Sequence, residues 1–108
     1  MNKVLITCCV LATAAFSFAA NAANITVDQK DQQFIPDTIS IKAGDTLMFK
    51  NSDQFPHNVT IVSPFGESAD HGMEQPGESK VKYTFRDPGV YTVKCNIHPR
   101  MKMAVTVQ

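Results

Sequence analysis

The sequence is poor in the residues that form disulfide frameworks and large aromatic binding surfaces. Its 108 residues include no tryptophan, two tyrosines, three histidines and three cysteines, and ten basic side chains balance ten acidic ones. Balanced charge argues against a basic nucleic-acid-binding protein. The one long apolar run, residues 4–20, is shorter than the about 20 residues of a membrane-spanning helix, so we expect no stable membrane insertion.

That apolar run has the features of a secretory signal peptide. Lys3 precedes it, and Ala20-Asn21-Ala22 follows it as an A-x-A cleavage signal. We predict cleavage after Ala22, which defines residues 1–22 as the signal peptide and residues 23–108 as one small domain. Losing Lys3 leaves nine basic and ten acidic side chains, a formal net charge of −1. We expect a periplasmic protein.

Export changes what the cysteines mean. Cys8 and Cys9 leave with the signal peptide, so the exported domain retains Cys95 alone. Exported proteins usually use cysteines in disulfide pairs, and an unpaired one is an inert buried thiol or a functional group. His98 and Met101 lie three and six residues after Cys95, which favours the functional interpretation.

Short alternating segments separated by turn residues run through the exported domain. Because no segment has a capped helical period, this pattern predicts an all-β sandwich or barrel. The stretch Glu67–Glu78, with two glycines and a proline, is expected to be a loop. The predicted strands are, in order, Ile25–Val27, Ile39–Lys42, Thr46–Lys50, Val59–Val62, Val81–Phe85, Val90–Val93 and Met103–Val107.

One thiolate, two imidazoles and a thioether form the candidate metal site. Cys95 and His98 share one short loop with Met101, and His57 precedes a distant strand. A trigonal His/His/Cys plane with a weak axial methionine is typical of a mononuclear copper site for electron transfer. This ligand set predicts one copper ion per chain, cycling between Cu(I) and Cu(II).

Three segments carry a resemblance to a known family. Residues 34–51 have the pattern F-x-P-x-x-I-x-I-x-x-G-D-T-L-x-F-x-N. The others are F-P-H-N-V at 55–59 and D-P-G-x-Y-x-x-x-C-x-x-H-x-x-M at 87–101. In this order they resemble the cupredoxins, the small blue-copper proteins, over nearly all of the exported domain. The resemblance implies a Greek-key sandwich of about eight short strands with copper near one end, held by His57, Cys95 and His98.

The same resemblance leaves two methionines as candidates for the axial ligand. The longer C-x2-H-x4-M loop of plastocyanin and pseudoazurin would select Met103. The shorter C-x2-H-P-x-M loop of amicyanin resembles His98–Met101 and selects Met101. Taking Met103 would leave only Ala104–Gln108 for the closing strand, so we prefer Met101 and expect Met103 in the core.

The family pattern implies one hydrogen bond that tunes the thiolate, and a departure from it could add a second. The backbone N–H of Asn58 should point at the Cys95 sulfur. Relatives with proline two residues after the cysteine have no N–H there, whereas Ile97 could donate a second bond. On that reasoning Ile97→Pro should lower the reduction potential.

We expect transient docking of a redox protein, such as a cytochrome or dehydrogenase, near His98. In the family this imidazole is the exit for electrons within an apolar patch. Three cations near the metal loop could steer an acidic partner, or they could be ordinary solvated charges. The expected patch consists of Phe55, Pro56, Ile97 and Pro99, and the cations are Lys94, Arg100 and Lys102.

Two other interpretations are open. His71 and Met73 could form a second, weaker copper site, although a solvated loop is the simpler interpretation. A protein that sequesters or delivers copper, or confers resistance to it, is therefore the alternative to an electron carrier. We expect no enzymatic activity, because a copper enzyme needs further ligands and an open position, and we expect a monomer.

Overall fold

The structure is a computed structural model that describes residues 21–108. Within these residues the chain forms nine β-strands and no helix, which confirms the predicted all-β class. No helix in this part of the chain is long and apolar enough to cross a membrane. The predicted signal peptide lies, up to residue 20, outside the described residues. The strands are β1 Asn24–Lys30, β2 Gln33–Ile35, β3 Thr38–Ile41, β4 Thr46–Asn51, β5 His57–Val62, β6 Ser68–Glu74, β7 Val81–Thr84, β8 Gly89–Cys95 and β9 His98–Val107.

The strands form two mixed sheets. One has the order β2-β1-β4-β7 and the other the order β3-β9-β8-β5-β6. The pairs β1–β4 and β3–β9 are parallel, and the remaining neighbours are antiparallel. Their apolar faces share a single core, whose largest members include Phe34, Leu47, Phe49, Phe85 and Met103. The sandwich predicted from the alternating segments is confirmed.

Alternation along β9 shows why these residues form strands. Met101, Met103, Val105 and Val107 are buried, and the residues between them are exposed or half-buried. Side chains in a strand point alternately to opposite faces. The four apolar side chains therefore face the core, while their neighbours form the outer surface of the sheet.

The structure corrects three details of the sequence-based prediction. Two strands were not predicted: β2, and β6, which lies within the stretch predicted to be a loop. β6 is an edge strand with an exposed first half, so its backbone pairing with β5 stabilises it without an apolar alternation. In addition, β5 begins at His57 itself, and β9 begins at His98 rather than at Met103.

Candidate metal centre

Three adjacent strands bring the predicted site residues to one end of the larger sheet. His57 begins β5, Cys95 ends β8 and His98 begins β9. These strands are neighbours in the order β9-β8-β5, and both pairs are antiparallel. Since paired strands are about 4.8 Å apart, the sheet itself sets the spacing of the three side chains.

The ligating atoms of these residues converge in the interior. The Nδ1 atoms of His57 and His98 are 3.2 Å apart, and the Cys95 sulfur is 3.6 Å from the His98 Nδ1. All three ligating atoms lie within 4.8 Å of one another, and in residues 21–108 this is the cluster of histidine, cysteine and acidic side chains that can hold a metal ion. His57 and Cys95 are buried, while His98 is half-buried.

A carboxylate orients His57. The Nε2 of His57 is 2.6 Å from Oδ2 of Asp53, which is itself buried. An Nε2–H donated to this carboxylate leaves the lone pair on Nδ1, the nitrogen that faces Cys95 and His98. Carboxylates commonly fix the tautomer and ring orientation of metal-binding histidines in this way. Asp53 was missed in the sequence, where an acid four residues before a histidine looks like any loop acid.

Asp53 is held in turn by the tight turn between β1 and β2. The backbone N–H of Asp31 donates to its Oδ1 at 2.7 Å, and that of Gln32 donates to its Oδ2 at 3.1 Å. Both turn residues have left-handed φ angles, 54° and 57°, which non-glycine residues adopt uncommonly. Burial raises the pKa of Asp53, but the hydrogen bonds from His57, Gln32 and Asp31 outweigh it, so the pKa lies below its ordinary value.

Asn58 ties the two ligand segments together. Its backbone N–H donates to the Cys95 sulfur at 3.3 Å, as the sequence predicted. Its side-chain Oδ1 accepts hydrogen bonds from the backbone N–H of Asn96 at 3.1 Å and from the Thr60 hydroxyl at 2.7 Å. The segment that contains His57 and the loop that contains Cys95 are therefore held at a set separation without a metal.

The second N–H···S bond expected from Ile97 is absent from the described residues. Asn96 and Ile97 form the turn between Cys95 and His98, which are partners in the β8–β9 pairing. Among residues 21–108, the one backbone donor to the Cys95 sulfur is the N–H of Asn58, which lies on β5. The expectation that Ile97→Pro lowers the potential through a lost hydrogen bond therefore loses its basis.

The two candidate methionines lie at different depths. Both are fully buried. Met103 is the register partner of Val93 and lies deeper in the sheet, whereas Met101 belongs to the segment 99–101 that the register shift leaves unpaired next to His98. Met101 lines a surface depression together with His98 and Ile97. Met101 thus shares a depression with His98, which favours it over Met103 as the ligand.

His71 and Met73, the candidates for a second copper site, lie on the edge strand β6. The His71 ring packs edge-on against Tyr83 at 5.0 Å, and its Nε2 is buried without a hydrogen-bond partner. Met73 is paired with Asn58 on the neighbouring strand. Neither residue joins the cluster of His57, Cys95 and His98 in the described part of the chain.

The donor set fits copper. A thiolate and two imidazoles with a thioether beside them match the soft and intermediate ligands of a copper site for electron transfer. The cluster is buried on the protein side and reaches the surface at His98. The Phe55 ring packs against both imidazoles, 5.3 Å from that of His57 and 5.5 Å from that of His98.

Comparison with known proteins agrees with this geometry. Residues 21–108 match the model of the copper binding proteins of the plastocyanin/azurin family. The chain is 33% identical to amicyanin of Paracoccus denitrificans over 85 residues, which cover 78% of this chain and 65% of that protein. It is 36% identical to plastocyanin of Ulva pertusa over 91 residues, covering 75% of this chain and 92% of that protein. A Cu(I) form of an amicyanin variant superposes with a TM-score of 0.72 at 28% identity, over 79% of this chain and 82% of that one.

Proposed function

The chain belongs to the plastocyanin/azurin family of copper-binding proteins, and from that premise we propose that it is a periplasmic one-electron carrier with a type 1 copper site. Members of the family are electron carriers and copper is the cofactor. The observation that carries the proposal is the convergence of His57 Nδ1, Cys95 Sγ and His98 Nδ1 from two distant segments. In this proposal the protein carries electrons and catalyses no reaction of its own.

In this proposal His57, Cys95, His98 and Met101 would hold the copper ion. The copper ion would supply a one-electron change that thiolate, imidazole and thioether ligands accommodate in both oxidation states. The protein contributes a set geometry: Asp53 orients His57, and Asn58 donates to the Cys95 sulfur. Ligand positions that are already fixed by the fold keep rearrangement on electron transfer small.

His98 is the proposed exit for electrons. It is half-buried, and exposed apolar side chains surround it, with Ile97 at 48% and Phe55 at 37% exposure. Exposed apolar patches are typical of interaction sites. A redox partner that docks there would come within reach of the half-buried imidazole without entering the protein.

Export and cleavage after Ala22 are part of the same proposal. Among residues 21–108, backbone pairing starts at Ala23, whose carbonyl accepts a hydrogen bond from Thr46 N at 2.9 Å. Its own nitrogen donates to Asp45 Oδ1 at 2.8 Å. This early pairing of Ala23 supports the proposed cleavage after Ala22.

A visible spectrum of the metal-free protein titrated with Cu(II) tests the function. We expect an intense thiolate-to-copper charge-transfer band that saturates at one copper per chain and is lost in Cys95→Ser. Met101→Leu should change the band position and Met103→Leu should leave it in place, since Met103 pairs with Val93 away from the cluster. A colourless product would contradict a type 1 site and favour copper handling instead.

A further inference from the structure

Two lysines face each other on the outer surface of the larger sheet. Lys94 of β8 and Lys102 of β9 are register partners. The residues before and after each of them are buried, so both lysines point outward. Arg100, also exposed, lies two residues before Lys102 on the loop side. We call Lys94, Arg100 and Lys102 the cationic platform.

Nothing within the described residues neutralises this charge. Like charges placed directly opposite in an antiparallel pair are destabilising. The ion pairs between side chains in residues 21–108 are His57–Asp53 and Lys80–Glu78, neither of which involves the platform. Across the sheet, Lys94 is paired with Thr60 of β5, and Thr60 is paired with Asp70 of β6. Asp70 is therefore two strand spacings, or about 10 Å, from Lys94.

Asp70 is already engaged elsewhere. Its Oδ1 accepts hydrogen bonds from the Asn58 side chain at 2.7 Å and from the Gly72 N–H at 2.8 Å. Because Asp70 is about 10 Å from Lys94 and is held by these bonds, the platform keeps an excess of positive charge in a domain whose formal net charge, from residue 23 onward, is −1. A local excess of one sign attracts surfaces of the opposite sign.

The platform adjoins the backbone of the metal loop. A shallow depression of about 270 Å³ is lined by Lys94 and Lys102 together with Cys95, Asn96 and Pro99. Arg100 lines the adjoining depression with Ile97 and His98. An acidic group bound between the lysines would thus sit over the Cys95 hairpin while apolar contacts form at Ile97 and Pro99.

We propose that the cationic platform docks an acidic surface of the redox partner. This inference rests on the proposed electron-carrier function and adds the chemistry of the partner. The platform steers and orients the partner, and the electron passes through the cluster at His98. It differs from the apolar patch because its two lysines lie on the outer face of the sheet, and none of its three cations forms an ion pair among residues 21–108.

Cytochrome c in two charge forms tests the proposal. Native cytochrome c is basic, and succinylation of its lysines gives an acidic form of the same haem protein. Stopped-flow mixing with the copper-loaded protein measures the one-electron exchange between haem iron and copper, in the direction that the two potentials favour. The test variant is Lys94→Gln/Arg100→Gln/Lys102→Gln. The matched control is Lys42→Gln/Lys50→Gln/Lys82→Gln, which removes the same charge from exposed positions elsewhere.

At about 10 mM salt, where charges act over about 30 Å, the unmodified protein should react faster with succinylated cytochrome c than with the native form. Each platform charge should raise the rate of exchange with succinylated cytochrome c roughly 1.5- to 5-fold, the range for exposed ion pairs. The triple variant should therefore react at least about threefold more slowly than the unmodified protein. The exchange rate of the control variant should fall much less. All proteins should converge at about 1 M salt, where the screening length is about 3 Å.

Two results would contradict the docking role of the platform and leave the carrier function unaffected. One is an equal loss in both triple variants, which would mean that net charge acts rather than the platform. The other is a preference for native cytochrome c. Both leave the carrier function standing, because exchange still occurs. If the protein binds copper but exchanges electrons with neither form of cytochrome c, the proposed carrier function is wrong, and so is the docking role of the platform.

Discussion

Asp53→Asn is the substitution that most directly tests how the fold prepares the copper site. Three donors converge on the Asp53 carboxylate: the His57 ring and the backbone N–H groups of Asp31 and Gln32. An asparagine offers one acceptor oxygen, and its NH2 group can only donate. At least one of the three donors therefore faces another donor or loses its partner.

The magnitude follows from two independent arguments. A buried donor left without its acceptor costs about 1–3 kcal/mol. Loss of a hydrogen-bonding partner behind a metal-binding histidine typically lowers metal affinity roughly 10- to 100-fold, which corresponds to about 1.4–2.7 kcal/mol. If the amide donates to Nε2 of His57, the ring proton moves to Nδ1 and competes with the metal. Removing the negative charge also disfavours Cu(II) more than Cu(I), so the reduction potential should rise.

The assay is a competition titration for Cu(II) against a chelator, combined with potentiometry. Asp37→Asn, at an exposed position, is the control for the loss of one carboxylate charge and should bind copper like the unmodified protein. Thermal unfolding of the metal-free variants separates loss of the site from loss of the fold. A copper affinity within about twofold of the control, or a lowered potential, would refute the role given to Asp53.

Three further predictions concern the scaffold. In Gly89→Ala the new Cβ would lie 2.5 Å from the Pro64 ring, at a residue whose φ is 142°. Such overpacking should lower the free energy of unfolding, measured in urea, by about 1–3 kcal/mol. Two backbone N–H groups hold the pKa of Asp45 below its ordinary 3.8. Its carboxylate therefore stabilises the fold above about pH 4, and this stability is lost as the pH falls through the lowered pKa. Asp45→Asn should flatten the acid limb of a plot of melting temperature against pH. Glu74, fully buried, accepts a bond from Gln29 Nε2, and Oε1 of Gln29 has no partner. If the Gln29 amide flips, its Oε1 can accept a hydrogen bond from the new amide, so Glu74→Gln should lower the free energy of unfolding by less than about 1 kcal/mol. Glu74→Ala should lower it by about 1–3 kcal/mol. Equal losses in the two variants would contradict the flip.

The features that sequence could predict are those that local pattern determines. Alternation identified the core strands because each has one buried face, as in Met103, Val105 and Val107 of β9. The types and spacing of Cys95 and His98 indicated a metal loop, and the N–H of Asn58 was expected at the sulfur because the family pattern implied it. These predictions needed no knowledge of which distant segments meet.

What escaped prediction depends on contacts between distant segments. Strand β6 has little apolar alternation, and it exists because an edge of β5 is available for backbone pairing. The contact between Asp53 and the β1–β2 turn joins residues 21 and 22 positions apart. It also requires left-handed φ angles at both Asp31 and Gln32. Aspartate is common at such turn positions, whereas glutamine is not.

The hydrogen bonds of Asp53 and Asn58 explain how a small domain can hold the ligands of the proposed copper site in place. Asp53 fixes the imidazole of His57 through the first sheet, since the turn that binds its carboxylate belongs to β1 and β2. Asn58 fixes the thiolate of Cys95 through the second sheet, by way of Asn96 and its own N–H. One ligand is therefore oriented by each layer of the sandwich, and the relative position of the two is set when the layers pack. In the proposed carrier, a partner that docks at His98 would meet a site in which the fold holds His57 and Cys95 in place.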